Sequence, residues 1–518
     1  MIAGGGRNRG PGAPRPLNSG KPLDRRTEAY LKFARLVLAL WLAGFATGSA
    51  VSQQPPQPQE EPQAPAQAPA EQPVQAAPQE QAPEAGADAE AEAEGEVVDG
   101  AAVDAAAVDA DIAAQELSDD AMIRLDAARA SVVQIRGFFD NSSSSAFHGS
   151  GFAVDEGRRI VTNYHVVAQA VLYPRQYRLE YLASDGRQGP LQVLAFDVRN
   201  DLAIVAAADD LELPPLRLRT EIPAQGERAW SIGFPLNLGL TITEGVANGL
   251  VENSIEQRIH YTGAINVGMS GGPALDRRGR VYGVNVSVAI GRQLVGFVVP
   301  AKHIPSLLAH AKEPLAKSMS ALQLRQRITG QVLAYEAEIL EARPESGGSQ
   351  ELRGYVLPTE MTRHLECSTV DELSPHIRVR VETVSCRIPS RLVVLGGVYV
   401  AGFSIQHRIL QSQGLHPLQF ERQVNKLAAS QSRTGQSAHV APFACDDALV
   451  SLDGFDARVS TCARQYRLFA GLYDLDMTVV SIDDREQALV SRIALQGVAF
   501  ESGERVLQRF LEGLQWKP

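Results

Sequence analysis

The sequence has no excess of positive charge and very little cysteine. Its 518 residues carry 49 Lys and Arg against 60 Asp and Glu, a formal net charge of -11. Nucleic-acid-binding proteins are expected to show a basic stripe, so this charge argues against a nucleic-acid partner. The few cysteines lie in the last third of the chain and lack the close spacing of a zinc site; they are Cys367, Cys386, Cys445 and Cys462. We therefore expect neither a metal nor another cofactor.

Long apolar runs are also scarce. One of them, at residues 36–45, lies in a segment typical of a secretory signal. Basic residues precede it, and small residues follow at 48–50. This pattern predicts a signal peptide over residues 1–50. An uncleaved signal anchor is the alternative, because flanking residues extend the apolar run. In both cases the folded part is expected in the periplasm or cell envelope, with anchoring to the inner membrane left open.

Residues 51–115 are predicted to be a disordered acidic spacer. The segment consists almost entirely of Gln, Pro, Ala, Glu and Asp and shows no hydrophobic periodicity. Such a composition buries too little apolar surface to offset the entropy of ordering the chain. Folded structure is expected to begin near Asp119 and Asp120, which can cap a short helix reaching Ala128.

The stretch at residues 268–272 reads Gly-Met-Ser-Gly-Gly and indicates a nucleophilic serine. A serine hydroxyl needs a base, a group that orients the base, and donors for the oxyanion. With no side chain at Gly268, the backbone can aim the amides of Gly268 and Ser270 at one point, with Met269 in the same loop. Gly271 and Gly272 are expected to let a substrate strand approach closely.

Two upstream segments supply the missing partners. Residues 149–154 and 159–167 predict a strand, a turn and a second strand that contains His165. Asp201 stands at the mouth of a further apolar strand, residues 202–205. The order histidine, aspartate, serine is that of the chymotrypsin-type double barrel and differs from the orders in subtilisin and α/β-hydrolases.

Together these motifs resemble the trypsin-like serine proteases of the HtrA (Deg) type. The matching residues are Thr-Asn-Tyr-His-Val at 162–166, Asp-Leu-Ala at 201–203 and the glycine-serine stretch at 268–272, where Met269 replaces the usual asparagine. The resemblance implies a protease domain over residues 116–315, mainly β, built as two β-barrels with the active site at their junction. It also implies a PDZ domain after the protease, but no PDZ-type loop is found beyond residue 315.

The resemblance further implies the roles of the site residues. Ser270 would be the nucleophile, His165 the base and Asp201 its orienting group, with the oxyanion hole formed by the amides of Gly268, Met269 and Ser270. The substrate pocket would have Ala264 and Ile265 at its floor; Gly283, Val284 and Asn285 would form its walls. No acidic residue stands at the pocket base, which argues against Lys or Arg as the preferred residue before the scissile bond and favours small aliphatic ones.

The C-terminal part predicts a duplication after a helical connector over residues 316–345. Two α+β copies, residues 346–430 and 431–518, each contain two cysteines, then an apolar strand pair beginning near Leu392 or Leu468, then a helix. The repeat favours the disulfides Cys367–Cys386 and Cys445–Cys462, although four cysteines allow three connectivities.

Three functions are compatible with these features. The first is an exported serine endopeptidase that hydrolyses unfolded or exposed envelope polypeptides, with the duplicated region recruiting substrates or a partner protein. The second is a binding protein or chaperone on a protease fold with little turnover. The third is a processing protease for one dedicated substrate, with the C-terminal copies as its adaptor. The sequence leaves the oligomeric state open.

Overall fold

Two closed β-barrels form the first half of the folded chain. The computed structural model describes residues 119–235, 238–252, 255–288, 295–342, 348–374, 376–389, 391–430 and 438–517. A helix, α1 (Asp119–Arg129), precedes the first barrel. The predicted signal segment (1–50) and spacer (51–115) lie outside the described residues. Among the described helices, none combines the length and apolar character needed to cross a membrane.

The first barrel pairs its strands in the order β1-β2-β3-β6-β5-β4 and closes by pairing β4 with β1. Its strands are β1 (Val132–Phe139), β2 (Ser145–Val154), β3 (Arg159–Thr162), β4 (Tyr177–Ala183), β5 (Gln188–Asp197) and β6 (Leu202–Ala207). The second barrel has the order β10-β11-β12-β9-β8-β7. Its strands are β7 (Glu227–Gly233), β8 (Thr241–Leu250), β9 (Ile259–Tyr261), β10 (Pro273–Leu275), β11 (Val281–Val288) and β12 (Gly296–Pro300). The predicted double-barrel fold is confirmed.

The expectation that His165 lies in a strand is wrong. Strand β3 ends at Thr162, and the helix α2 (Tyr164–Leu172) begins directly after Asn163. The β-branched residues of this segment suggested a strand, but tertiary packing overrides that weak preference. Val167 and Val171 of α2 are buried in the same core as the barrel strands, and His165 lies in the first turn of the helix.

A series of helices connects the barrels to the C-terminal region. A short 3₁₀ turn (Ala301–His303) leads to α3 (Ile304–His310), α4 (Leu315–Ser318) and the long helix α5 (Ala321–Glu341). Ser320 caps α5, because its Oγ accepts from the Gln323 amide and the Gln323 side chain accepts from the Ser320 amide. This capping box satisfies two backbone donors at the helix start.

The C-terminal region contains one seven-stranded antiparallel sheet of order β15-β16-β19-β23-β22-β21-β20. The two predicted copies are joined through β19 and β23, so they share a sheet and a core. A small sheet of order β13-β14-β24 and a hairpin, β17–β18, stand outside it. The elements are β13 (Gly348–Leu352), β14 (Tyr355–Glu360), β15 (Glu366–Ser374), β16 (Val379–Arg387), β17 (Leu392–Leu395), β18 (Val398–Val400), β19 (Gly402–Ser412), α6 (Pro417–Ser430), β20 (Ala444–Ser451), β21 (Asp456–Gln465), β22 (Tyr473–Ser481), β23 (Gln487–Val498), α7 (Phe500–Glu512) and β24 (Gln515–Trp516).

Both disulfides cross-link adjacent strands near the outer sides of this sheet. Cys367 joins Cys386 between β15 and β16, and Cys445 joins Cys462 between β20 and β21. The strand expected from Leu468 is wrong: residues 468–472 form bends and a turn, and β22 begins at Tyr473. Phe469 and Leu472 are buried, so the apolar signal came from packing rather than from strand pairing.

Candidate active site

His165 and Asp201 form a closely paired couple at the junction of the barrels. The His165 Nδ1–H group donates to Asp201 Oδ2 at 2.6 Å, and the backbone N–H of His165 donates to Asp201 Oδ1 at 2.9 Å. Because one carboxylate holds both the ring and the backbone, it selects the neutral tautomer that carries hydrogen on Nδ1. Nε2 is then the nitrogen able to accept a proton.

A tight turn places the Asp201 carboxylate. Asp201 has a φ of 57°, in the left-handed region that aspartate tolerates better than most residues. The preceding turn is held by Asn200, whose amide and side-chain Nδ2 both donate to the Asp197 carboxylate. Asn163 Nδ2 donates to the Asp201 carbonyl at 2.7 Å, so the residue before α2 also positions this turn.

The pKa of His165 lies above its ordinary value of 6.5. Burial lowers this pKa, but the charge of Asp201 and its hydrogen bond raise it by more, while Arg258 opposes them. Arg258 reaches the same turn from the second barrel and donates to the Asn200 carbonyl at 3.1 Å. The raised pKa makes the neutral imidazole of His165 a stronger base than a free histidine.

The serine loop before β10 is held from the first barrel by Ser150. Ser150 Oγ donates to the Gly268 carbonyl at 2.7 Å and accepts from the Phe234 amide at 3.0 Å. Gly268 has a φ of 96°, and a Cβ there would lie 2.4 Å from the Phe234 carbonyl oxygen. Glycine is therefore required at this position for both conformation and space. The sequence feature that could have indicated this role is the motif Gly-Ser-Gly at 149–151, because its small residues permit β2 to approach the serine loop closely.

Met269 does not supply an oxyanion donor, contrary to the expectation for all three amides of the loop. Its N–H already donates to the Asn266 carbonyl at 3.0 Å, and its side chain is fully buried in the second barrel. Gly268 and Ser270 remain the candidate donors.

The two glycines after the serine serve internal packing rather than substrate approach. A Cβ on Gly271 would lie 2.1 Å from the Ser150 carbonyl oxygen, and one on Gly272 would lie 2.0 Å from the Ile232 carbonyl oxygen. The backbone of Asn285 holds the same turn: its carbonyl accepts from Gly271, and its amide donates to Gly272, each at 2.9 Å. The loop is thus locked against three strands.

The hydroxyl of Ser270 donates to the Val286 carbonyl at 3.1 Å. Within the described ranges, no hydrogen bond joins Ser270 to His165. Both side chains nevertheless line the same cavity. Proton transfer from Ser270 to His165 Nε2 would require the hydroxyl to leave the Val286 carbonyl.

This cavity measures about 600 Å³ and is lined by both barrels and by the C-terminal region. Its residues are His165, Val198, Asp201, Val251, Glu252, Glu256, Arg258, Ile265, Asn266, Val267, Ser270, Val286, Phe297, Glu366, Pro389, Arg391, Leu392, Val393 and Tyr399. Of the predicted pocket residues, only Ile265 belongs to the lining. Ala264 is exposed outside it, and Gly283, Val284 and Asn285 are absent from it. Because Asn285 is used to hold the serine loop, β11 reaches the cavity at Val286, the one lining residue among its members whose side chains are described.

Comparison with known proteins matches the barrel segment to a known peptidase domain. Residues 149–284 match the sequence model of the trypsin-like peptidase domain. A probable periplasmic serine endoprotease DegP-like of Chlamydia trachomatis is 34% identical over 170 residues, 32% of this chain and 32% of that protein. Serine protease HTRA1 of Xenopus tropicalis is 33% identical over 176 residues, 32% of this chain and 36% of that protein. The chain thus spans about a third of the length of these curated relatives. The predicted resemblance to HtrA-type trypsin-like proteases is confirmed.

Among solved structures, the Rv3671c protease from M. tuberculosis in its active form is 26% identical, with a TM-score of 0.33. The match covers 38% of this chain and 87% of that protein.

Proposed function

We propose that the protein is a serine endopeptidase that uses Ser270, His165 and Asp201. The observation that carries this proposal is the 2.6 Å bond between His165 Nδ1 and Asp201 Oδ2, in a cavity that Ser270 also lines. A histidine oriented by a carboxylate beside a serine is the arrangement that activates a hydroxyl nucleophile.

In the proposed reaction, Ser270 Oγ attacks the scissile carbonyl while His165 Nε2 takes its proton. The imidazolium then donates this proton to the leaving amine, and water attacks the acyl-enzyme by the same route. Asp201 stabilises the imidazolium in each step. The amides of Gly268 and Ser270 bind the developing oxyanion, in a loop that Ser150 and Asn285 hold in place.

We propose unfolded or exposed polypeptides outside the cytoplasm as substrates. The N-terminal sequence pattern and the word periplasmic in the name of the chlamydial relative support an exported location. An uncleaved signal anchor over the apolar segment 36–45 is the alternative form of this proposal.

The test is labelling of the purified full chain with a fluorophosphonate, together with digestion of unfolded casein. Wild type is expected to be labelled and to digest, whereas Ser270→Ala does neither. An exposed serine, Ser306→Ala, is the matched control and is expected to behave as wild type. Labelling that persists in Ser270→Ala, or a wild type that is never labelled even with casein present, contradicts the proposal.

A binding protein with little turnover is the second candidate, and the position of the serine hydroxyl favours it. The Ser270 hydroxyl donates its hydrogen bond to the Val286 carbonyl rather than to His165. If this arrangement persists with substrate, unfolded protein is bound but not cleaved. Retention of casein on a column of the full chain without cleavage products would support this function over the first.

A dedicated processing protease is the third candidate, because residues of the C-terminal region line the cavity. A panel of unfolded proteins and single peptides separates it from a general endopeptidase. Cleavage of most members supports general turnover, and cleavage of very few supports dedicated processing.

A further inference from the structure

The hairpin β17–β18 sets the two C-terminal copies apart. In the second copy, the strand after Cys462 is β22, which remains in the seven-stranded sheet. In the first copy, the chain after Cys386 leaves the sheet and forms the separate two-stranded hairpin. Its turn is Gly396-Gly397, with Gly397 at a φ of 76°. The first copy thus carries a hairpin outside the seven-stranded sheet where the second copy continues within it.

One face of this hairpin is docked on the helix that carries His165. Val394 and Val400 are completely buried in the core shared with α2. Tyr164, the residue before His165, donates its hydroxyl hydrogen to the Val394 carbonyl at 2.9 Å. The docking contact is therefore adjacent in sequence to the proposed base, and it fixes the hairpin beside the cavity.

The other face of the hairpin is turned to the cavity. Val393 and Tyr399 are directly paired across the two strands, so their side chains share one face. Both line the cavity that holds His165 and Ser270, and Tyr399 remains 51% exposed. An exposed tyrosine beside a valine is an apolar surface with a large contact area at small entropic cost.

Apolar residues of the second barrel also line this cavity. Ile265, Val267 and Phe297 line it, and Val267 is 70% exposed. Charged groups of both signs also contribute, but one of them, Glu256, is already engaged by the Tyr335 hydroxyl of α5. The cavity therefore offers a bound chain apolar contacts from both the hairpin and the second barrel.

We propose that the hairpin is a wall of the substrate cleft, where Val393 and Tyr399 select polypeptides with a large apolar side chain near the scissile bond. This inference rests on the proposed peptidase function. It assigns to the C-terminal region a direct part in substrate choice, in segments beyond the residues that match the trypsin-like peptidase domain. The occupant is the polypeptide substrate itself, because the hairpin surface is continuous with the cavity that contains Ser270.

The test measures kcat/KM of the full chain on internally quenched peptides that carry Phe, Leu, Ala or Ser in turn at each position around the cleaved bond. Tyr399→Ala and Val393→Ser are compared with wild type. We expect the effect at one substrate position. There, the ratio of kcat/KM for Phe or Leu peptides to kcat/KM for Ala peptides is expected to be at least about tenfold lower in the variants than in wild type. Leu449→Ala, which changes an exposed residue of β20 outside the cavity, is expected to leave the preference unchanged.

Three results overturn the inference. Unaltered preference in both hairpin variants shows that the hairpin does not contact the substrate. An equal rise of kcat/KM on all peptides shows that the hairpin only obstructs the cleft. A wild type that is not labelled by a fluorophosphonate removes the proposed peptidase function, and this inference with it. Labelled wild type with unaltered variants contradicts the hairpin role alone.

Discussion

The hydroxyl of Tyr164 donates to the carbonyl of Val394, so the residue next to His165 is bonded to a strand 230 positions further along the chain. Tyr164 is completely buried, and the bond joins the first barrel to the C-terminal hairpin. Loss of a buried partner leaves the other group unpaired, which costs more than an exposed hydrogen bond does.

Tyr164→Phe is expected to lower the free energy of unfolding by about 1–3 kcal/mol while the ring stays packed. Urea unfolding followed by tryptophan fluorescence measures this change. Tyr177→Phe is the control, since within the described residues the Tyr177 hydroxyl makes no hydrogen bond. Equal stability of the two variants would show that the Tyr164–Val394 bond adds nothing.

The pH dependence of hydrolysis should report the raised pKa of His165. The base must be neutral, so activity is expected to fall as pH drops, with its midpoint above 6.5 because Asp201 outweighs the effect of burial. Asp201→Asn removes that charge and is expected to move the midpoint to lower pH and to lower kcat by about 10⁴-fold. The measurement is kcat/KM on a peptide from pH 5 to 9. A midpoint that does not move in Asp201→Asn would assign the ionisation to another group.

Ser150→Ala should loosen the serine loop, although Ser150 itself is not among the residues that line the cavity. Its hydroxyl holds the Gly268 carbonyl and the Phe234 amide, both of which become unpaired. The rate of fluorophosphonate labelling is expected to fall at least about tenfold, which corresponds to a rise of about 1.4 kcal/mol in the activation free energy. Ser142→Ala, in an exposed turn, is the control. Unchanged labelling in Ser150→Ala would exclude a positioning role for Ser150.

The two disulfides are expected to contribute equally to the free energy of unfolding but to differ in their effect on peptide preference. They close loops of similar length, with sequence separations of 19 and 17, so each should contribute about 3 kcal/mol by restricting the unfolded chain. The paired change Cys367→Ala with Cys386→Ala also loosens β16 at Cys386, which stands three residues before the cavity residue Pro389. Peptide preference should change in that variant, and the pair Cys445→Ala with Cys462→Ala is the internal control. The same change in both pairs would argue against a local effect.

Glu336 in α5 should make the stability of the protein depend on pH. Burial raises the pKa of its carboxyl from 4.5 to about 7, although the Ala499 amide at the start of α7 donates to it. Since the folded state holds the proton more tightly, this contribution to stability is complete below pH 4.5 and is lost as pH rises through about 7.

Glu336→Gln keeps an acceptor for the Ala499 amide and removes the charge. The variant is expected to gain up to about 3 kcal/mol over wild type at pH 8 and little at pH 4.5. Urea unfolding at both values measures the difference, with the exposed Glu313→Gln as control. A gain that is independent of pH would show that Glu336 does not titrate in this range.

The amino-acid sequence predicted the double-barrel fold and the three motifs that contain His165, Asp201 and Ser270. Glycines flanking Ser270, a histidine after Thr162-Asn163 and an aspartate before an apolar strand are local patterns, and the backbone requirements that select them are local too. The cysteine repeat likewise favoured the pairs Cys367–Cys386 and Cys445–Cys462, and in the structure each pair lies opposite across two adjacent strands.

Tertiary packing alone decided the rest. The segment of α2 has strand-like composition, but burial of Val167 and Val171 makes it a helix. Ser150 and Asn285 can hold the serine loop because backbone segments that are distant in the sequence meet there. For the same reason Val286, rather than the predicted residues 283–285, lines the cavity. The hairpin at Val393 and Tyr399 is far from Ser270 along the chain, and no spacing rule links them. Only the docking of Val394 against Tyr164 brings that surface to the cleft, since contacts between remote segments depend on the folded whole.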